Sequence, residues 1–397
     1  MHGRRNHGTD PSRDVRFRGG ARRGAASVGH HSREISVPEQ PAPLPSLLDG
    51  AAASVEPVSR ESEAFRRIAA DPSLDLVLRL EAYEDIIASE VGDTRLVRAR
   101  NIERDAAIRQ LFLKFEGGNP TGTQKDRIAF AQVHDALRRG YDAVTLASCG
   151  NYGTAVAFAC SLAGMQCVVH IPSSYHTRRL EEIISLGAKI IRTPVDYEGA
   201  VDASKQQAEQ QGLYDANPGG ANTVLQLVAY GEIANEIYDE LRDAPAVVAA
   251  PVSNGTTIAG IWRGFATLHR RGKTSRMPRI VAGSSHGKNP IVRSFLKGFD
   301  ECRDLDPAGL KETQVNEPLI NWHSFDGDWA LQAIRATDGW ADNASDRELR
   351  QHARILREKE GLSVLPASTA GLSVLLERHR QSPLPGDRYV AVLTGRR

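Results

Sequence analysis

Cysteine is scarce in these 397 residues, with Cys149, Cys160, Cys167 and Cys302 as its four occurrences. None forms a CxxC pair or joins a Cys/His cluster at zinc spacing, so neither a secreted disulfide framework nor a structural metal is expected. Long apolar runs are missing as well. Nothing approaches the ~20 residues of a membrane span, and the densest stretch, Ala244 to Val252, is broken by Pro245 and Pro251. Excess charge is lacking too: 50 Lys and Arg stand against 49 Asp and Glu, which excludes nucleic-acid binding driven by bulk charge. The Lys-based Walker loop and the GxGxxG fingerprint are both absent, which removes the usual signals for nucleotide and nicotinamide binding.

What is present suffices for a full core. Apolar residues make up 41% of the chain, and its length implies about two or three domains. The first ~55 residues are set apart by composition: His, Arg, Gly, Ser and Pro, with eight Arg up to Arg33 against Asp10 and Asp14. This reads as a disordered basic extension at 1–55, and it matches a transit peptide only in part.

From Glu61 onward helical and strand patterns alternate. Strands are expected at Arg109 to Glu116, Tyr141 to Ala147, Gln166 to Ile171, Lys189 to Arg192, Ala246 to Ala250, Arg279 to Gly283 and Tyr389 to Leu393. The segments between them carry helical periodicity, apart from an irregular Asp304 to Asp328. Such alternation predicts βαβ units, parallel sheets and an α/β fold. The expected division is a large domain of 56–140 and 215–397 around a smaller α/β domain of 141–214.

Ligands of open parallel sheets bind beyond the carboxyl ends of strands, and three loops have that address. The first runs Asn119-Pro120-Thr121-Gly122-Thr123-Gln124-Lys125. It sets a lysine at the opening of a helix, where the positive dipole end favours a neutral amine. Most lysines at helix starts are merely solvated, so this loop decides nothing alone. The second, Ser148-Cys149-Gly150-Asn151-Tyr152-Gly153-Thr154, has amides for an anion and an amide side chain for an oxygen, or is an ordinary helix cap. The third, Ser253-Asn254-Gly255-Thr256-Thr257, has the composition of a phosphate cradle.

Together the loops resemble the pyridoxal-phosphate enzymes of the tryptophan-synthase-beta type, fold type II, and threonine synthase in particular. The likeness runs from about Gly92 to Gly395 through GDTRLVRA, LKFEGGNPTGTQKDR, ASCGNYGTA, PVSNGTTIAGIWRGF, EGLSVLPAS and VLTG, in family order. It implies a two-domain, open parallel-sheet enzyme using pyridoxal 5'-phosphate, with Lys125 in Schiff-base linkage to it. Asn151 is then implied at the ring's phenolic oxygen, Ser253 to Thr257 at the phosphate and Thr394 at the ring nitrogen. Thr123, Ser148, Cys149 and Gly150 are implied at the substrate. A neutral hydroxyl at the ring nitrogen suits elimination chemistry, because it draws less carbanion charge into the ring.

The departures surround the substrate. Thr123-Gln124 stand where threonine synthases commonly have Ser-Phe, and Leu365 replaces a Glu. Cys149 replaces a Ser or Thr, and Gly395-Arg396-Arg397 replace a His-Gly-Leu-Lys-like tail. Arg127, Arg178 and Lys288 are the candidate cations for a substrate phosphate, and His286 follows a strand near the expected substrate. The resemblance implies a lyase or synthase acting on an activated amino acid, O-phosphohomoserine or a β-activated serine. A small-molecule substrate, a cytoplasmic homodimer and no metal, membrane or nucleic acid are expected. The reading from a different class is a non-catalytic α/β binding protein in which Lys125 is structural.

Overall fold

A computed structural model describes residues 54–397 except Cys149, His176 and Arg178. The expectations for the basic extension, Cys149 and Arg178 lie outside the described residues, save for the last two residues of the extension.

Among the described residues, ten strands divide between two sheets. The larger has the order β1 (Leu96–Arg98), β2 (Leu111–Phe115), β10 (Tyr389–Leu393), β7 (Val247–Pro251), β8 (Arg279–Ser285) and β9 (Trp340–Ala344). All neighbours are parallel except β1 with β2. The smaller is fully parallel: β5 (Lys189–Thr193), β4 (Gln166–Pro172), β3 (Ala143–Ala147) and β6 (Tyr214–Asp215). This is the α/β architecture that the alternation predicted. Strands β1, β6 and β9 are additions to the sequence reading. Two of them are only two or three residues long, and β9, Trp-Ala-Asp-Asn-Ala, has no β-branched residue to announce it.

Period-2 alternation explains why β10, inside the larger sheet, is apolar throughout. Tyr389, Ala391 and Leu393 of β10 pack on one face with Leu111, Leu113 and Leu372. Val390 and Val392 pack on the other with Ile258, Ile261 and Ile280. Both faces are covered by helices, so neither side chain set meets water.

Two features hold the helices that carry the loops. The helices Thr223–Leu241 and Thr256–Arg270 cross through small residues. A Cβ added to Gly264 would stand 2.4 Å from the Gly231 carbonyl oxygen, and one on Gly260 2.5 Å from Tyr230 Cβ. Backbone therefore rests on backbone at this crossing.

The second feature is a buried charge network under the helix Lys125–Arg138. Arg127 donates from Nε to Glu116 at 2.6 Å and from Nη1 to Glu236 at 2.6 Å. Lys114 Nζ lies 2.5 Å from the Glu236 carboxylate, and Thr94 Oγ1 donates to Glu116 at 2.7 Å. Burial opposes the charge on Arg127, but Glu116 and Glu236 hold its guanidinium above the ordinary arginine value. Burial likewise pushes the Glu236 carboxyl up, yet the hydrogen bonds and charge of Arg127, with Lys114, bring it down to about 2.

Candidate active site

The lysine loop is fixed by its own polar residues and by the end of the chain. Asp126 accepts from the Thr121 backbone N–H at 2.9 Å and from its hydroxyl at 2.8 Å. Burial pushes the Asp126 carboxyl up to about 7 even against those bonds. Thr123 pairs with Gly395 in an isolated bridge, Gln124 N–H donates to the Thr394 carbonyl at 3.1 Å, and Arg396 N–H donates to the Gly122 carbonyl at 2.9 Å. This clamp leaves Lys125 at the first turn of its helix with Nζ 5.7 Å from the Tyr152 ring centroid. Burial brings its amine down to about 8, against the pull of Asp326.

The second loop caps the helix Asn151–Ala163. Ser148 Oγ accepts from the amides of Gly150 at 3.2 Å and Gly153 at 2.7 Å. Tyr152 faces inward, and its hydroxyl donates to the Ala216 carbonyl at 2.6 Å. Asn151 Oδ1 accepts from Arg179 Nε at 3.2 Å.

The third loop opens the helix Thr256–Arg270 with Gly255 in the left-handed region, φ +99°. A Cβ there would stand 2.6 Å from the Asp326 carbonyl oxygen. The Thr256 hydroxyl donates to the Asp326 carboxylate at 2.5 Å, so what Thr256 offers a ligand is its first-turn N–H. Burial pushes the Asp326 carboxyl up, in the direction that lessens the negative charge it sets against an anion in this loop. Thr394 is half-buried at the end of β10, and its hydroxyl donates to Ser368 Oγ at 3.3 Å.

These loops converge. A narrow inner cavity of about 90 Å³ is bordered by Thr123, Lys125, Asn151, the whole 253–257 loop and Thr394. An outer cavity of about 530 Å³ shares Lys125, Asn151 and Ser253 with it and adds Ser148 and Gly150. Residues more than 270 positions apart in the chain thus meet around one amine.

Other candidates from the sequence lie elsewhere. Arg127, a candidate for a substrate phosphate, is buried in the network with Glu116 and Glu236, because those two carboxylates need its charge more than any solvent-facing site does. Lys288 donates to the Lys311 carbonyl at 2.5 Å, and His286 is exposed; neither borders the cavities. Sequence reasoning missed Arg179, buried at 2% exposure, and Asp326. It also read 304–328 only as irregular, whereas Glu312, Glu317, Asn321 and Trp322 of that segment wall the outer cavity. No periodicity marks such a wall; only the turn-rich composition was available as a signal.

Residues 87–395 match the family model described as pyridoxal-phosphate dependent enzyme. The chain belongs to this family. Threonine synthase of Methanocaldococcus jannaschii is 31% identical over 307 residues, 77% of this chain and 74% of that one. Threonine synthase of Synechocystis sp. is 30% identical over 348 residues, 86% of each. Among solved structures, maize serine racemase gives a TM-score of 0.66 at 20% identity, covering 80% of this chain and 92% of its own. Serine racemase from Dictyostelium discoideum gives 0.64 at 18%, covering 80% and 96%; at such identities the likeness is of fold. This pyridoxal-phosphate-dependent enzyme is threonine synthase-like and of fold type II.

The cavity fits the cofactor. It offers the partly buried amine of Lys125 with its lowered pKa, the side-chain amide of Asn151, a helix N-terminus fronted by Gly255, where a Cβ would meet the Asp326 carbonyl oxygen, and the neutral hydroxyl of Thr394. The last is the polarity expected at an unprotonated ring nitrogen. Among the described residues no cluster suits a metal ion, and no helix is long and apolar enough to cross a membrane.

Gly255→Val tests the cradle. A β-branched residue at this φ costs about 1–3 kcal/mol of backbone strain, and its Cβ displaces the Asp326 backbone. Apo-protein titrated with pyridoxal phosphate is expected to show affinity about tenfold or more below wild type. Equal affinity would move the phosphate site away from this loop.

Proposed function

We propose that this enzyme carries out elimination and replacement on an activated amino acid, with conversion of O-phosphohomoserine to threonine as its reaction. The observation that carries the reading is the meeting of Lys125, Asn151, the 253–257 loop and Thr394 on one cavity. The substrate assignment draws on the threonine synthases to which the chain is similar.

In this reading the cofactor supplies, when bound, an electron sink for charge at the substrate's Cα. Lys125, with its pKa near 8, is partly neutral at physiological pH and can accept a proton at Nζ and return it. The first-turn N–H groups of the helix Thr256–Arg270 hold the cofactor phosphate. Thr394 holds a neutral hydroxyl for the ring nitrogen, to which it can donate once its proton turns from Ser368 Oγ. The N-terminus of the helix Asn151–Ala163 receives the substrate carboxylate, with Ser148 keeping its turn closed.

A second reading is favoured by one observation. The outer cavity is bordered by four carboxylates, Asp196, Glu198, Glu312 and Glu317, and among the described residues Lys125 is its one cation. Burial pushes Glu317 up to about 7, with Tyr175 donating to it at 2.8 Å. Such a wall suits a less anionic side chain than a phosphate monoester, which supports β-replacement on another activated serine.

Incubation with O-phosphohomoserine and with O-acetylserine, whose leaving group is uncharged when bound to serine, with and without sulfite or sulfide, distinguishes the two. Threonine and phosphate from phosphohomoserine, preferred by about 10²-fold or more, are expected. No phosphate from it, with turnover of the serine derivative, would establish the second reading instead.

A further inference from the structure

Arg179 begins the helix Arg179–Ser185, and its guanidinium is almost wholly buried between the lysine loop and the asparagine loop. It makes three bonds in three directions. Nε donates to Asn151 Oδ1 at 3.2 Å, Nη2 donates to the Thr121 carbonyl at 2.6 Å, and Nη1 meets the Glu182 carboxylate at 2.5 Å. Glu182 in turn accepts from the Val55 backbone N–H at 2.6 Å, so the carboxylate is itself anchored.

The chemistry of these partners dictates an orientation. A guanidinium has only donors, whereas a primary amide has a donor end and an acceptor end. The atom of Asn151 that faces Arg179 must therefore be the oxygen. Asn151 lines both cavities, and with its oxygen turned to Arg179 the polarity it brings to them is that of its NH2.

We propose that Arg179 is a positioning residue that selects the amide orientation of Asn151, so that Asn151 donates to the phenolic oxygen of the cofactor and stabilises its anionic form. The same side chain ties that amide to the Thr121 carbonyl, four residues before Lys125. The inference rests on the proposed reading of Asn151 as the residue at the phenolic oxygen. It adds what makes this asparagine a donor there rather than an acceptor.

The experiment uses holoenzyme and reads the absorption spectrum at fixed pH, as the ratio of the long-wavelength band of lysine-bound cofactor to the near-ultraviolet band of its uncharged-oxygen form. Cofactor affinity is measured alongside. Wild type is expected to show the long-wavelength band and Lys125→Ala to lack it; a wild type without the band would refute the underlying reading, not this inference alone. In Arg179→Met the ratio is expected to fall about tenfold, the loss of one hydrogen bond to a charged oxygen. Asn151→Ala should fall equally, and the double variant no further. Arg179→Lys, again only a donor, should recover most of the ratio. Glu182→Gln, which leaves Nε in place, should lower stability without moving the ratio.

Asn151→Asp gives an independent check that leaves Arg179 untouched. One carboxylate oxygen would still face Arg179 and the other would set a negative charge against the phenolic oxygen, so the ratio should fall further than in Asn151→Ala. A wild-type ratio in Arg179→Met or in Asn151→Asp, or effects of Arg179→Met and Asn151→Ala that add in full, would overturn the proposal.

Discussion

Lys125→Ala protein is expected to fold, to show no visible band of lysine-bound cofactor, and to turn over substrate at least about 10³-fold more slowly than wild type. The magnitude follows from removing the amine that, alone among the described residues, borders both cavities. Folding is expected to survive because the loop around Lys125 is held by other groups: Asp126 on Thr121, and the backbone of Gly122, Thr123 and Gln124 on residues 394–396. Circular dichroism and a thermal melt check the fold, and absorbance and product formation check the chemistry. An active Lys125→Ala enzyme with a wild-type spectrum would move the site elsewhere.

Arg127→Met is expected to be the most destabilising single change near the site, costing about 3–5 kcal/mol, because it strands the Glu116 carboxylate in a dry interior. Chemical denaturation measures it. Adding Glu116→Gln should recover part of the loss by removing the orphaned charge, and a double variant no more stable than the single would contradict the account. The network also gives stability a pH signature. The Glu236 carboxyl titrates near 2 in the folded protein against about 4.5 in an unfolded chain. Its contribution is complete above about 4.5 and is lost as pH falls toward 2. Glu236→Gln protein should therefore be the less stable near pH 6, and the difference should shrink on acidification.

The fold was legible where local pattern and tertiary role agree. Tyr389–Leu393 is apolar at every position because both faces of β10 are covered, and an uninterrupted run flanked by turns reads as a strand whichever way it faces. The three loops were legible for a related reason: each joins a strand to a helix, and glycine, asparagine and hydroxyl residues there have few other uses. Buried charge was not legible. Arg127 looked like a ligand because it follows the lysine, and its true partners, Glu116 and Glu236, lie 11 and 109 residues away. Arg179 carried no local mark at all, since its role depends on Thr121 and Asn151 arriving from other elements. Of the 304–328 segment the sequence betrayed only its lack of regularity.

The glycine crossing of the helices Thr223–Leu241 and Thr256–Arg270 bears on how such an enzyme can change over generations. With Gly231, Gly260 and Gly264 in backbone contact, no exchange of side-chain size can shift the second helix by a fraction of an ångström, and its N-terminus carries the 253–257 loop. The floor of the pocket is quantised: it stays where it is or the crossing fails. Drift toward new substrates is therefore channelled to the wall of the outer cavity, where Glu312 and Trp322 sit on irregular backbone and Glu317 opens a single 3-10 turn, which tolerate replacement one residue at a time.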